Sequence, residues 1–339
     1  FGSSPAPGRP AASARPPRGA GAMQKALLRG DASQVGLLQC ARHGTKRQQT
    51  FGPKFDMPCA SFSPDAGRLC TASGDKTSRV LDLASGRELQ KLKHPDWVRA
   101  AGFSHDAKLV CTGCDDAKAR IFDAESGEEL AGLQHNSWVL CTSFSSDDRL
   151  LGTASRDKVA RVYGVESKEE QVRFKHDDAV LSARFSPDAS QLCTASGAPR
   201  CFGAAVVYDL ESQEELWRMD HEDTVTCAGF GGDGRWLCTS SRDRSARVYD
   251  LRSRPGQDEV MRCTGGNFFN SAALSPDAGL FCAGGEDGWA RVFDVKTHKE
   301  LASFQHGEAV LSTSFSADCT RLLTSAKDGA ARVYGAGAP

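Results

Sequence analysis

The chain has 339 residues, with 42 Lys+Arg against 43 Asp+Glu and a formal charge of −1. That balance excludes a protein that holds nucleic acid through a generally basic surface, while leaving room for a local basic patch. Hydrophobics at 40% and charged residues at 25% exclude wholesale disorder, and no run of about 18 apolar residues offers a membrane-spanning helix.

Residues 1–34 stand apart. Five prolines fall within the first 17 residues, and no acidic residue precedes Asp31. Such a segment buries too little apolar surface to offset its ordering entropy, so 1–34 is expected to be a disordered Pro/Ala/Gly-rich tail or linker. Its basic, acid-poor character also fits the end of an organelle transit peptide. The chain begins with Phe, and Met23 is a candidate alternative start.

From about residue 35 the chain repeats. Phe62, Phe103, Phe144, Phe185, Phe230 and Phe315 each stand three residues before an Asp in a turn, and Leu274 takes the same place in "LSPDAGL". Successive spacings are 41, 41, 41, 45, 44 and 41 residues. Length alone suggests about two domains, but seven units of this size read as one architecture with four short strands per unit. A first strand such as "WVRAAGF" leads into the Ser/Pro/Asp/Gly turn. A second such as "LVCTG" follows, then a short turn and a third such as "ARIFD". A more polar fourth strand, "ELQKLKH" for example, ends the unit. Alternation is period two, as half-buried strands require.

A four-stranded unit hides its faces only against neighbours, so the array should close into a ring. "GLLQCARH", residues 36–43, resembles the fourth strand, and the last unit ends after three strands in "ARVYGAGAP". The N-terminal strand is therefore predicted to complete the last unit, with 36–42 beside 331–335.

The 13 cysteines follow the repeat. Cys70, Cys111, Cys193, Cys238 and Cys282 each lie eight residues after the marker Phe or Leu, and Cys59, Cys141 and Cys227 share a first-strand slot. They read as reduced core residues in a reducing compartment, so a cytoplasmic or nuclear location is expected. The "CTGC" pair, Cys111 and Cys114, has no second pair at zinc spacing. No metal or cofactor is expected.

These repeats resemble the WD-repeat β-propeller family. The family pattern is a His before the first strand, a hydroxyl in the second, an Asp in the next turn and Trp-Asp ending the third. The resemblance implies an all-β, seven-bladed propeller of four-stranded antiparallel blades over 35–339. It also implies structural hydrogen-bonded pairs His43–Asp75, His94–Asp116, His135–Asp157, His221–Asp243 and His306–Asp328. Thr71, Thr112, Thr153, Thr194, Thr239 and Thr324 supply the hydroxyls. The chain departs from the pattern in three ways. Leu81, Phe122, Tyr163, Tyr208, Tyr249, Phe293 and Tyr334 replace the Trp. Blade 4 lacks the turn Asp that His176 would meet. In blade 6, Gly265 stands where Asp287 would meet a His. One Arg per blade (Arg79, Arg120, Arg161, Arg247, Arg291 and Arg332) reads as a structural feature rather than an anion-binding ring.

The resemblance places partner binding on the face carrying the His and Asp loops. Residues four and six positions before each marker, and the residue before the turn Asp, should point there. They are Trp97, Arg99 and Asp115 in blade 2, and Trp138, Leu140 and Arg156 in blade 3. Blade 5 offers Thr224, Thr226 and Arg242, and blade 6 offers Phe268 and Asn270. Trp and Arg are enriched among interface hot spots. Two longer segments, 44–54 with Lys46, Arg47 and Lys54, and 197–203, should enlarge this face.

The leading expectation is a non-catalytic scaffold for peptide segments or protein domains, as a monomeric propeller within a larger complex. No Walker A loop, HExxH or nucleophile elbow is present. The alternatives are a hydrolase-like propeller, which would need His176 or Asp287 free at the channel, and an RNA-associated propeller.

Overall fold

A computed structural model describes residues 35–42, 58–198, 201–254 and 258–336, with 35–42 and Ala336 described by backbone alone. The predicted tail 1–34, His43 and the loop 44–54 lie outside the described residues. Strand β1 (Val35–Arg42) precedes β2–β5 (59–93), β6–β9 (98–134), β10–β13 (139–175) and β14–β17 (180–221). Then come β18–β21 (225–264), β22–β25 (269–305) and β26–β28 (310–336). Each group of four is an antiparallel sheet in chain order, and the last sheet has the order β1-β28-β27-β26. Strand β1 runs antiparallel to β28 (Ala330–Ala336) from Val35 opposite Ala336 to Arg42 opposite Ala330. These seven sheets are the blades of a propeller.

Burial explains the strand compositions. The second strand of a blade is enclosed on both faces, so β7 (Leu109–Cys114) and β11 (Leu150–Ser155) are buried almost throughout. Their small and β-branched residues suit a sheet packed on both sides. The fourth strand lies at the rim and buries few apolar side chains among polar ones: Leu92, Leu133, Phe174 and Met219 in the first four blades, and Met261 with Cys263 in the fifth.

The core lies between blades rather than inside them. Cys70, Val80 and Leu92 of blade 1 pack with Val98, Phe103 and Val110 of blade 2. The same kind of seam joins blade 7 to blade 1, where Leu323, Ala331 and Val333 meet Ala60 and Leu69. Arg321 also donates from Nη1 to the carbonyl of Ala66 at 2.9 Å across that seam. The first and last blades therefore pack as other neighbours do, and the ring is closed. Each fully buried leucine of the kind Leu69, Leu151, Leu192, Leu237 and Leu322 contributes about 1.5–3 kcal/mol.

Turn chemistry assigns the two faces. At the marker turns of every blade but the fifth, where Gly231 stands, a serine hydroxyl donates to the turn Asp and accepts the N–H five residues on. In blade 2, Ser104 donates to Asp106 at 2.7 Å and accepts from Leu109 N at 2.9 Å. In an antiparallel meander the first and third turns share one end of the sheet. The second turn, carrying the repeated Asp, then shares the other end with the crossing between blades, where the histidines lie. That second end positions the candidate site.

Candidate partner-binding face

On this face one backbone bond in each of five blades brings two separated sequence positions together. Asp115 N donates to Trp97 O, Arg156 N to Trp138 O, Arg242 N to Thr224 O, Glu286 N to Phe268 O and Lys327 N to Ala309 O, all at 2.9 Å. The residue before the turn Asp thus always stands beside the residue six before the marker. In blades 2 and 3 this builds a ladder of rings and guanidinium groups. Arg99 lies over Trp97 at 4.9 Å and over Trp138 at 5.5 Å, and Arg156 lies over Trp138 at 4.5 Å. Asp115 holds Arg99 by two bonds, accepting from Nε at 2.9 Å and from Nη2 at 2.7 Å. Cation–π contacts of this kind are worth about 0.5–1 kcal/mol each at exposed sites.

The two indoles differ. Trp97 is half-buried, and a side-chain carbon on Gly74 of blade 1 would touch its ring at 3.4 Å. Trp138 is 38% exposed, as is Phe268 at 41%. Arg156 is exposed and Arg242 half-buried, and neither has an ion pair among the described residues. Asn270 donates to Glu286 at 2.9 Å and to Val310 O at 3.1 Å. Lys327 donates to the same carboxylate at 2.6 Å. Burial pushes the Glu286 carboxyl up, but Lys327 and Asn270 hold it below its ordinary value. Arg99, Leu140, Thr226 and Asn270 line the mouth of a central cavity of about 580 Å³. Glu286 and Lys327 were absent from the expected site, although their place just before a turn Asp marks them by the same positional rule.

The longer blade 4 segment is anchored to blade 5. Gly197 has φ 149°, and a side-chain carbon there would lie 2.8 Å from Thr224 Cα. Gly203 is pressed against the Asp223 carbonyl and Val225 N in the same way, at 2.6 Å each. Beyond them Phe202 is fully presented to solvent. The loop 44–54, with its three basic residues, lies outside the described residues.

Behind the face, the histidines depart from expectation. Of the five direct His–Asp hydrogen bonds expected, the one formed among the described residues is that of blade 5. There His221 Nδ1 donates to Asp243 at 2.9 Å, and Thr239 lies 3.0 Å from Nε2. In blades 2, 3 and 7, Nδ1 of His94, His135 and His306 instead meets the carbonyl of Leu92, Leu133 and Phe304 at 3.2, 3.0 and 3.1 Å. A carbonyl only accepts, so Nδ1 carries the proton. Nε2 then accepts from Thr112, Thr153 and Thr324 at 2.9, 2.9 and 2.7 Å. Burial favours this neutral form, pushing His94 and His135 down to about 4.

The carboxylates of Asp116, Asp157 and Asp328 go instead to the repeated arginine four residues on, as do those of Asp75, Asp243 and Asp287. The arginine ring thus consists of internal ion pairs. The aromatic at the missing Trp position packs edge-on to the His ring, as in His94–Phe122 at 5.5 Å and His135–Tyr163 at 5.7 Å. Tyr249 also reaches its histidine, with its hydroxyl 3.4 Å from His221 Nε2. In blade 6 both the His and the Thr are gone, as Gly265 and Ala283. Phe269 occupies the space, with its ring 3.1 Å from where a Gly265 side chain would begin.

His176 and Asp287 do not form a catalytic pair. Asp287 accepts from Arg291 at 2.7 Å and from Trp289 N at 3.1 Å. His176 packs edge-on to Tyr208, with Nε2 buried and without a partner among the described residues.

The WD40 family (WD domain, G-beta repeat) matches residues 86–123, 127–164, 214–250, 259–294 and 298–335. The chain belongs to the WD40 family. Each matched stretch begins with the rim strand of one blade and runs through three strands of the next, so the WD40 repeat is offset from the blade by one strand. The stretch between 164 and 214 contains the first three strands of blade 4, where the turn Asp is missing. A relative, the WD repeat-containing protein 91 homolog of Dictyostelium discoideum, is 34% identical over 83 residues. Those residues are 24% of this chain and 11% of that protein, so the match spans about a tenth of the relative's length. WD40 propellers commonly act as protein-interaction scaffolds and are generally non-catalytic. No helix among the described residues is long and apolar enough to cross a membrane.

Proposed function

We propose that this propeller is a non-catalytic scaffold that captures acidic peptide segments, or an acidic edge of a protein domain, on the face carrying the His and Asp loops. The observation that carries the reading is Trp138, partly exposed and contacted over its ring by both Arg99 and Arg156. Stacking orders the side chains before a partner arrives, which reduces the entropy lost on binding. Asp115 neutralises Arg99, and Lys327 neutralises Glu286. Arg156 remains to meet a carboxylate, with Arg242 sharing the field of Glu286, while Trp138 and Phe268 offer apolar area. Buried aromatic and Arg anchors dominate interface energies.

Selection from a random-peptide display library tests this. The wild-type chain should enrich sequences containing Asp or Glu next to an apolar residue. Trp138→Ala with Arg156→Glu should lose that enrichment while keeping the wild-type melting temperature. The same peptides selected by the folded double variant would reject the face. Trp97 is a poor choice for this test, because its ring also supports the Gly74 turn.

A further inference from the structure

We propose that the central channel holds a small oxyanion, a phosphate or carboxylate, on Arg184. The residue before the marker lies on the innermost strand of every blade and pairs with the second strand at an equivalent position. Arg184 pairs with Cys193 as Ser61 pairs with Cys70 and Gly102 with Cys111. Around the ring this position is Ser61, Gly102, Ser143, Arg184, Gly229, Ala273 and Ser314. Six are small and neutral, and one carries a full charge.

All seven line the same cavity of about 580 Å³, and none of its lining residues is an Asp or Glu. Arg184 lies on an innermost strand, β14 (Val180–Phe185), yet it is exposed. The open space beside that strand is the channel, so the exposure is to the lumen. Cys59, Cys141 and Cys227, from blades 1, 3 and 5, line the same cavity as Arg184. Small neighbours leave it room: a side-chain carbon on Gly229 would meet nothing within 4 Å.

Among the described residues Arg184 has no hydrogen bond and no ion pair. Its N–H donors are therefore free for an anion, and charge-assisted hydrogen bonds to a guanidinium are the strong ones. A planar guanidinium whose N–H donors meet no protein acceptor among the described residues suits an oxyanion, which accepts from the fork. The volume falls within the usual range for small-molecule sites. This site is separate from the ladder of blades 2 and 3 and stands or falls without it.

The test is calorimetric titration of the purified chain with inorganic phosphate and, separately, with citrate, both in chloride buffer of matched ionic strength. Arg184→Ser places in blade 4 the residue that blades 1, 3 and 7 already carry, and Arg184→Lys keeps the charge without the fork. Wild type should bind at least one of the two anions. Arg184→Ser should bind it at least about tenfold more weakly, with Arg184→Lys between them. Phosphate binding alone would specify a phosphate-bearing ligand, and citrate alone a carboxylate. Equal affinity in Arg184→Ser, or no binding of either anion to wild type up to roughly 50 mM, would overturn the proposal.

Discussion

Asp243 and Asp287 occupy the same turn position in adjacent blades, but their surroundings differ. The Asp243 carboxylate accepts from His221 at 2.9 Å, Arg247 at 2.7 Å, Ser245 N at 2.8 Å and Ser245 Oγ at 2.6 Å. Its side chain is 3% exposed and that of Arg247 10%. Asp287 accepts from Arg291 and Trp289 N, and it is 27% exposed, facing an arginine at 25%. Removing one partner of a buried pair typically costs about 3–5 kcal/mol, because the other charge is left unpaired. Removing one from a partly exposed pair costs about 1 kcal/mol or less. Asp243→Ala should therefore lower the melting temperature by about 6–10 °C, and Asp287→Ala by about 2 °C or less, at roughly 2 °C per kcal/mol for a ring of this size. Scanning calorimetry at neutral pH compares them directly. If Asp287→Ala destabilised as much as Asp243→Ala, burial would not be what separates the two blades, and the reasoning would fail.

Three further outcomes follow from the same geometry. Burial holds His94, His135 and His176 near 4 against an ordinary 6.5, so the unfolded chain binds more protons between those values. Their contribution is complete above 6.5 and is lost as pH falls toward 4, each with a slope approaching about 1.4 kcal/mol per pH unit; urea midpoints that stay flat across this window would contradict the neutral-histidine assignment. Burial also pushes the thiols of Cys111 and Cys282 up to about 12, whereas Cys201 is exposed. Mass-spectrometric mapping of maleimide adducts should find Cys201 labelled in the native protein and the other two only after unfolding; the reverse order would refute the packing. Deleting residues 1–42 removes β1 and uncovers the edge of β28, so the shortened chain should melt lower and self-associate on gel filtration. An unchanged monomer would show that β1 adds nothing to the ring.

Much of this molecule is legible in its repeat. The spacing of the marker Phe residues and the turn Asp three residues on give seven units. The regular cysteine slots fall on buried second strands, and the positional rule for the face names residues that one backbone bond indeed makes neighbours. Period-two burial and turn chemistry are local, so a single sequence carries them. Which partner a side chain chooses is not local. The imidazole Nδ1 has one proton, and in blades 2, 3 and 7 a carbonyl two residues back accepts it, leaving the Asp to an arginine. His221 differs in lying within β17 (Glu215–His221), paired with Gly203, and its Nδ1 meets Asp243. The Trp138 ladder joins two blades, and its Arg99 is oriented by an Asp 16 residues away. Arg184 gains its setting only from ring closure, because only when seven blades meet does that position border a cavity shared by all of them.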